Sequence, residues 1–433
     1  MPAAWHVEPD MVLALPVQGE SFLLRREGRA VLVDGGLPSD RIANTLRQHV
    51  RDVKHLDIVL CTHGDRDHAG GLPNLIDSWA GRIDQLWLPG RWVDVIPPLA
   101  RDPARFLSEL VGELDAELKA PSDLVRDAIR DADDEAMPID RSDIRSTPQS
   151  RDAGAADGWF DGVDEAWADD ELPREPEWFG ALRRAEEELA SDYDASRAFD
   201  AARRKVRRRH KRLTSIVGAR IALYWLDLIE TAKAIRGIAT AAIRHRIRTR
   251  WFDFEEFATT RRAVGGLHRF LVPVNAVEQA PPPSGLPLLA KLTLINQQSL
   301  VFFAPPAPSR LGVLFCGDSP LGDGRKFANS FLPALPLLHW PIVVTAPHHG
   351  SESNSVAYVH LNAWAKCMVL LRAGGSAKQP GPSFLGQHNR LRLCAKCPRS
   401  GHTPMLSGVV APWPPCWWIM HTIGRLCSCS SPR

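Results

Sequence analysis

The sequence predicts an α/β fold split by a helical insertion, on three observations. Short runs rich in Val, Ile and Leu recur along the chain, and each ends in Asp or His beside glycine. The most ligand-rich of these endings passes directly into a helix start. From about residue 98 to 239 strand signals vanish and charged residues become dense.

The strand endings carry the chemistry. Ile58-Val59-Leu60-Cys61 reads as a buried strand. The next residues, Thr62 to Gly71, pack His63, Asp65, Asp67 and His68 into six positions, and Leu72-Pro73-Asn74 then opens a helix. Ala30-Val31-Leu32-Val33 runs into Asp34-Gly35-Gly36. Leu311-Gly312-Val313-Leu314-Phe315 runs into Cys316-Gly317-Asp318-Ser319. Ile342-Val343-Val344 is followed by Pro347-His348-His349-Gly350-Ser351. A single Asp-Gly is usually only a turn; four such endings in one chain are hard to assign to turns alone. Imidazole suits zinc, iron or nickel, and carboxylate suits harder ions as well. Two such ions about 3.5–4 Å apart can share a hydroxide and clamp a phosphoryl or carbonyl oxygen. The competing reading of the first loop is a solvated acidic turn with incidental histidines.

In this order the motifs resemble the metallo-β-lactamase superfamily. The likeness is closest to the metallo-β-lactamase domain of the bacterial DNA-uptake competence channel protein and its soluble relatives. That branch carries H-x-D-x-D-H where most of the superfamily has H-x-H-x-D-H, and Asp65 stands here in the variant place. Val17-Gln18-Gly19-Glu20-Ser21 is similar to its G-Q-G-D stretch. Asn296-Gln297-Gln298-Ser299-Leu300-Val301 is similar to its N-x-x-S-L-V strand. The resemblance covers roughly residues 10–95 and 260–385. It implies a four-layered αβ/βα sandwich around two divalent ions, zinc expected and manganese the alternative. His63, Asp65 and His349 would bind one ion, Asp67 and His68 the other, and Asp318 would bridge both. A metal-bound hydroxide would be the nucleophile. Asp67 would orient it or accept its proton, and Asp34 would brace the loop from below. His348 would support the ligands or orient substrate, and the resemblance leaves open which of His348 and His349 coordinates.

The chain also departs from the branch pattern. Where a final His-Pro is common, it has Lys378-Gln379-Pro380, and Gln379 is a poor zinc ligand. His388 is a distant substitute. His268 is the nearest match to the superfamily's separate middle histidine and reads as a surface or packing residue.

At 433 residues the chain exceeds one typical domain. The expected units are 1–97 (first half of the metal-binding fold), 98–239 (charged helical insertion), 240–390 (second half) and 391–433 (a Cys/Trp-rich tail). All expected ligands lie outside the insertion, so its removal is expected to leave the centre intact. A net charge of +2 gives no global field toward nucleic acid or membrane. No secretory leader is evident, and no run approaches the roughly 18 apolar residues that cross a bilayer. A free-standing cytoplasmic enzyme is expected.

Helical spacing marks Phe106 to Leu118, Trp178 to Tyr193, and a long helix through Ile216, Trp225 and Ile235. A polar, acidic stretch around Ser142 to Asp170 reads as a loop or linker. Strand-like sequence resumes at Ile247 to Phe257. The basic run Arg203 to Arg212 and the patch Arg244 to Arg250 suit phosphate contact, although a solvated helix face balancing nearby acid is the favoured reading. In the tail, Cys394-Ala395-Lys396-Cys397, Cys416, Cys427 and Cys429 stand near His402 and His421. They are expected to be packing cysteines, with a structural zinc as the alternative. Trp413, Trp417 and Trp418 would pack on the core or on a partner. A protein partner is also compatible with the insertion. No G-x-x-x-x-G-K loop or G-x-S-x-G elbow is present. The function expected is therefore metal-dependent hydrolysis of a phosphodiester, possibly within nucleic acid. The alternatives are an inactive sensor or adaptor of the same fold, and a nucleic-acid-binding module with structural metals.

Overall fold

The computed structural model describes residues 10–134, 175–307, 310–335, 342–376, 378–397, 403–410, 421–424 and 426–429. The acidic stretch at 142–170, Trp413, Trp417, Trp418, Cys416 and His402 lie outside the described residues. Two sheets organise the rest. The strands are β1 (Met11–Ala14), β2 (Phe22–Arg26), β3 (Arg29–Val33), β4 (His55–Leu60), β5 (Arg82–Pro89), β6 (Arg248–Asp253), β7 (Val272–Pro273), β8 (Val277–Glu278), β9 (Phe302–Ala304), β10 (Gly312–Phe315), β11 (Ile342–Thr345), β12 (Met368–Arg372), β13 (Leu391–Cys394), β14 (Ser407–Val410) and β15 (His421–Ile423). One sheet has the order β15-β14-β1-β2-β3-β4-β5-β6-β8, the other β13-β12-β11-β10-β9-β7.

Side-chain alternation along these strands builds four layers. In β3, Ala30 and Leu32 face a helical layer, while Val31 and Val33 face the other sheet. In β10, β11 and β12, Val313, Phe315, Val343, Val369 and Leu371 join that inter-sheet core. Leu314, Ile342, Val344, Met368 and Leu370 point outward to the Ser355–Trp364 helix. Three buried clusters therefore fill the three interfaces of an αβ/βα sandwich, the architecture the motifs imply.

Strands β3 to β6 run parallel, as do β10 to β13. The rule that parallel neighbours need a crossover over one face explains the insertion. It is the connection between β5 and its parallel partner β6, enlarged. Its Ile216–Arg244 helix is apolar nearly all round, as a buried helix must be. Trp225, Leu228, Ile229, Ala232, Ile235 and Ile238 lie in the same cluster as Leu32, Leu56 and Leu86 of the sheet. Trp225 is fully buried and donates its indole N–H to the Leu110 carbonyl at 2.8 Å. The insertion thus supplies one wall of the principal core.

Other local differences have equally direct causes. The strand expected at Ile247–Phe257 stops at Asp253, whose carboxylate accepts from Glu255 N–H at 3.0 Å and caps the Phe254–Thr260 helix. The strand expected at Asn296–Val301 begins later, at Phe302. Leu289, Leu292 and Ile295, spaced three apart, first bury one face of the Leu288–Gln297 helix. The 391–433 segment supplies β13 and β14, which pair with β12 and β1. No helix among the described residues is long and apolar enough to cross a membrane.

Candidate metal centre

The carboxyl ends of the parallel strands of both sheets meet along one rim, where α/β folds bind ligands. There β3 delivers Asp34, β4 the loop from Cys61 to His68, β10 Asp318, and β11 the His348-His349 pair. Gly64 lets the first loop pass closely under the insertion. A Cβ there would lie 2.8 Å from Ile295 Cγ2 and 2.9 Å from Thr231 Cγ2. Gly317, at φ +49°, allows the turn that presents Asp318, whose N–H donates to Ser299 Oγ at 2.9 Å.

Asp34 is the organiser. It is fully buried, and it accepts from Thr62 N–H, Thr62 Oγ1–H and His68 Nδ1–H, each at 2.8 Å. Thr62 Oγ1 in turn lies 2.9 Å from His63 Nδ1. One carboxylate thereby sets the direction of two rings, as carboxylates behind ligating histidines commonly do. With both Nδ1 atoms committed, the Nε2 atoms face the rim. His68 Nε2 is 3.1 Å from Asp318 Oδ1, and His63 Nε2 is 3.5 Å from Asp318 Oδ2 and 3.7 Å from Asp65 Oδ2. The His63 and His68 rings are 4.1 Å apart, and His68 and His349 5.1 Å.

The second pair of rings is divided between two carboxylates. His349 Nε2 is 2.9 Å from Asp67 Oδ2. His348 Nε2 instead lies 3.5 Å from Asp318 Oδ2, the oxygen that His63 also faces. Both residues adopt left-handed backbone, φ 48° and 54°. That conformation costs roughly 1–3 kcal/mol per residue and tends to mark functional sites. It sends adjacent side chains to different partners.

Glu20 is a participant the sequence motifs did not single out. It is buried, its Oε2 is 3.1 Å from His349 Nδ1, and its N–H donates to the Asp67 carbonyl at 2.8 Å. The acid in the stretch similar to G-Q-G-D was the available signal. Gln379 is also buried, but it braces rather than ligates. Its Oε1 accepts from Ser376 N–H at 2.7 Å and its Nε2 reaches toward the His348 carbonyl at 3.4 Å. His268 and His388 are exposed.

Among these side chains alone, charge is tightly matched. Burial and the neighbouring His68 pull His63 down, but Asp318 and Asp65 outweigh them and push it up to about 9. Burial also opposes charge on His349, yet Asp67 and Glu20 push it up to about 10. Burial raises Asp318, but His348, His68 and His63 hold it well below the usual carboxylate range. His63 Nε2, His68 Nε2 and Asp318 Oδ1 are buried in ion-pair range of one another's residues, but none has a hydrogen bond of good geometry. Buried polar atoms are normally satisfied. A convergent His/Asp set left open in this way fits a divalent ion, which would supply the positive charge the carboxylates draw from the rings. His63, His68 and Asp318 form one candidate ligand group, and Glu20, His68 and His349 another.

Comparison with known proteins agrees with this geometry. Residues 14–83 match the family model of the metallo-beta-lactamase superfamily. The matched stretch runs from β1 to the start of β5 and contains the whole first ligand loop. A search of the curated proteins finds no match. The layered fold is consistent with a metallo-β-lactamase sandwich, and the matched stretch includes His63, Asp65, Asp67 and His68. The insertion and the Cys-containing tail lie outside the matched stretch.

Proposed function

We propose that the protein is a metal-dependent hydrolase acting on phosphodiesters. The observation that carries this reading is the division of Asp318 between two sets of side chains. Oδ2 faces His63 and His348, while Oδ1 faces His68. One ion would be held by His63, Asp65, His348 and Asp318, and the other by Asp67, His68, His349 and Asp318. Two divalent ions, zinc or manganese, would lower the pKa of a bound water from 15.7 to about 7 and neutralise a phosphoryl oxygen. The chain's own contribution is orientation. Asp34 and Thr62 fix the rings of His63 and His68, the Ala373 carbonyl with the nearby Glu20 carboxylate orients His349, and Asp67 is placed to hold or accept a proton at Oδ2. Asp65, Asp67 and His348 keep 37, 38 and 28 % of their side chains exposed, which leaves a face for substrate. The carboxylate-rich donor set, with Asp65 where the superfamily more often has histidine, suits hard ions and phosphoryl oxygen. That variant and the His348-His349-Gly350-Ser351 tetrad favour competence-type relatives.

A second observation bears on substrate size. In the Asp192–His210 helix, Phe199, Ala202 and Val206 are buried, Arg203 pairs with Glu230 at 2.5 Å, and Arg209 pairs with Asp115. Arg204, Lys205, Arg207, Arg208, Lys211 and Arg212 remain exposed. The patch at 244–250 is mostly occupied. Arg244 pairs with Asp77 and Asp192, and Arg250 pairs with Glu278 and sits over Trp87. The exposed face suits a polyanion.

The deciding assay is turnover of bis-p-nitrophenyl phosphate by protein loaded with zinc or manganese. Stoichiometric metal uptake at the His/Asp centre without turnover of any ester would favour the sensor reading. Reversing charge at Arg207 and Arg208 should weaken action on oligonucleotides and spare the small ester. Equal rates on both would remove nucleic acid from the proposal.

A further inference from the structure

A second convergence of ligand-type side chains lies in the tail, away from the His/Asp rim. Cys394 ends β13, and Cys397 follows it by one turn. Cys427 and Cys429 arrive from the opposite direction. Leu426 bridges to Leu393, and Cys427 N–H donates to the Arg392 carbonyl at 2.8 Å, which lays the last described segment along β13. Cys397 Sγ is 3.4 Å from Cys429 Sγ and 3.9 Å from Cys427 Sγ. All four sulfur atoms lie within 4.8 Å of one another. A disulfide needs sulfurs about 2.05 Å apart, and all four of these cysteines are free. A tetrahedral thiolate site with metal–sulfur bonds of about 2.3 Å has edges of about 3.8 Å, close to the two separations seen.

Arg372 supplies an independent observation. Its side chain is fully buried. Nη1 lies 2.9 Å from Cys394 Sγ and 3.3 Å from the Lys396 carbonyl, and Nε donates to the His349 carbonyl at 2.6 Å. None of these partners is a carboxylate, and no ion pair joins Arg372 to an acid among the described residues. A guanidinium carries a standing charge, and a buried charge needs an opposite one nearby. The sulfur of Cys394 fills that place if it is a thiolate. Cys397 Sγ also accepts from Ser428 N–H at 2.9 Å, with Ser428 Oγ at 3.3 Å. Hydrogen bonds of this kind steady a metal-bound sulfur.

We propose that Cys394, Cys397, Cys427 and Cys429 form a closed tetrathiolate site for one zinc ion, separate from the His/Asp centre. Four soft ligands with no open position select zinc and a structural role. The ion fastens the C-terminal segment to the edge of the second sheet. Through Arg372 it also steadies the carbonyl of His349, so the tail and the rim are mechanically joined. The inference does not depend on the hydrolase reading.

The test uses the full chain. Cobalt substitution should give thiolate-to-cobalt charge-transfer absorption in the near ultraviolet, which a centre of imidazoles and carboxylates cannot produce. The Cys427→Ser/Cys429→Ser double variant should lose that band and one equivalent of zinc. Asp318→Ala should keep both. Should the double variant fold poorly, alkylation of the unaltered chain gives a separate readout. The four cysteines should resist iodoacetamide until a chelator is added, whereas exposed Cys367 reacts at once. The proposal is overturned by absence of the charge-transfer band, by iron in place of zinc, by disulfides among the four, or by alkylation as fast as at Cys367.

Discussion

The His/Asp centre and the thiol cluster are both places where distant stretches of chain converge, but they are built oppositely. The rim centre encloses two of its rings and leaves two of its carboxylates partly open. His63 and His68 have no exposed side-chain surface, whereas Asp65 and Asp67 keep more than a third of theirs. The thiol cluster offers four equivalent soft atoms and no member left over to meet a substrate. An open mixed set is organised to admit a reactant, and a closed uniform set to hold a shape.

The sharpest way to break this contrast is Asp318→Ala. It should lower turnover of bis-p-nitrophenyl phosphate by on the order of 10³-fold, because charge stabilisation at both ions is lost together. Metal held by the cysteines should remain, as elemental analysis would reveal. An active Asp318→Ala protein would refute the shared-carboxylate scheme. Next in size, Asp34→Asn should cost about 10–100-fold in metal affinity or activity, since two rings lose their common anchor. Unchanged affinity, read by competition with a chelator, would show that Asp34 serves the fold alone. Glu20→Gln acts on one ring only and should cost about tenfold; an effect larger than that of Asp34→Asn would reverse the ranking.

The smallest effect is one of pH. His63 and His349 are raised from 6.5 to about 9 and about 10 in the side-chain set alone. A raised histidine stabilises the fold fully below its unfolded value and loses that contribution as pH rises through the folded value. Metal-free protein should therefore lose stability progressively from about pH 6.5 up to about pH 9–10, measured by chemical unfolding. Metal uptake near pH 7 should eject protons, because ligating rings must be neutral. Calorimetric heats independent of the buffer's ionisation enthalpy would contradict this.

The legibility of these features in the sequence follows from their spacing. His63, Asp65, Asp67 and His68 could be read because one loop carries all four after a plainly apolar strand. Asp318 and the His348-His349 pair could be found from the same strand-then-glycine pattern. Which imidazole serves which carboxylate could not, because two consecutive left-handed residues decide it and nothing in the residue types announces that turn. Glu20 was hidden because its role depends on a contact with His349, far along the chain. The insertion looked separate because its charged face dominates composition, while the residues facing the sheet are mostly alanine and isoleucine. The thiol cluster lacked the paired C-x-x-C spacing of a ribbon. Its halves, C-x-x-C and C-x-C, make sense only once the backbone brings Leu426 against Leu393.

One pairing has a consequence for biosynthesis. Met11 of β1 lies opposite Val410 of β14, so β1 waits for a strand made about 400 residues later. At roughly 5–20 residues per second the wait is roughly 20–80 s. Throughout that interval β1 offers an unpaired backbone edge, the kind of surface that recruits stray strands. A ribosome that stalls in the tail would release a chain whose first sheet is still open on that side.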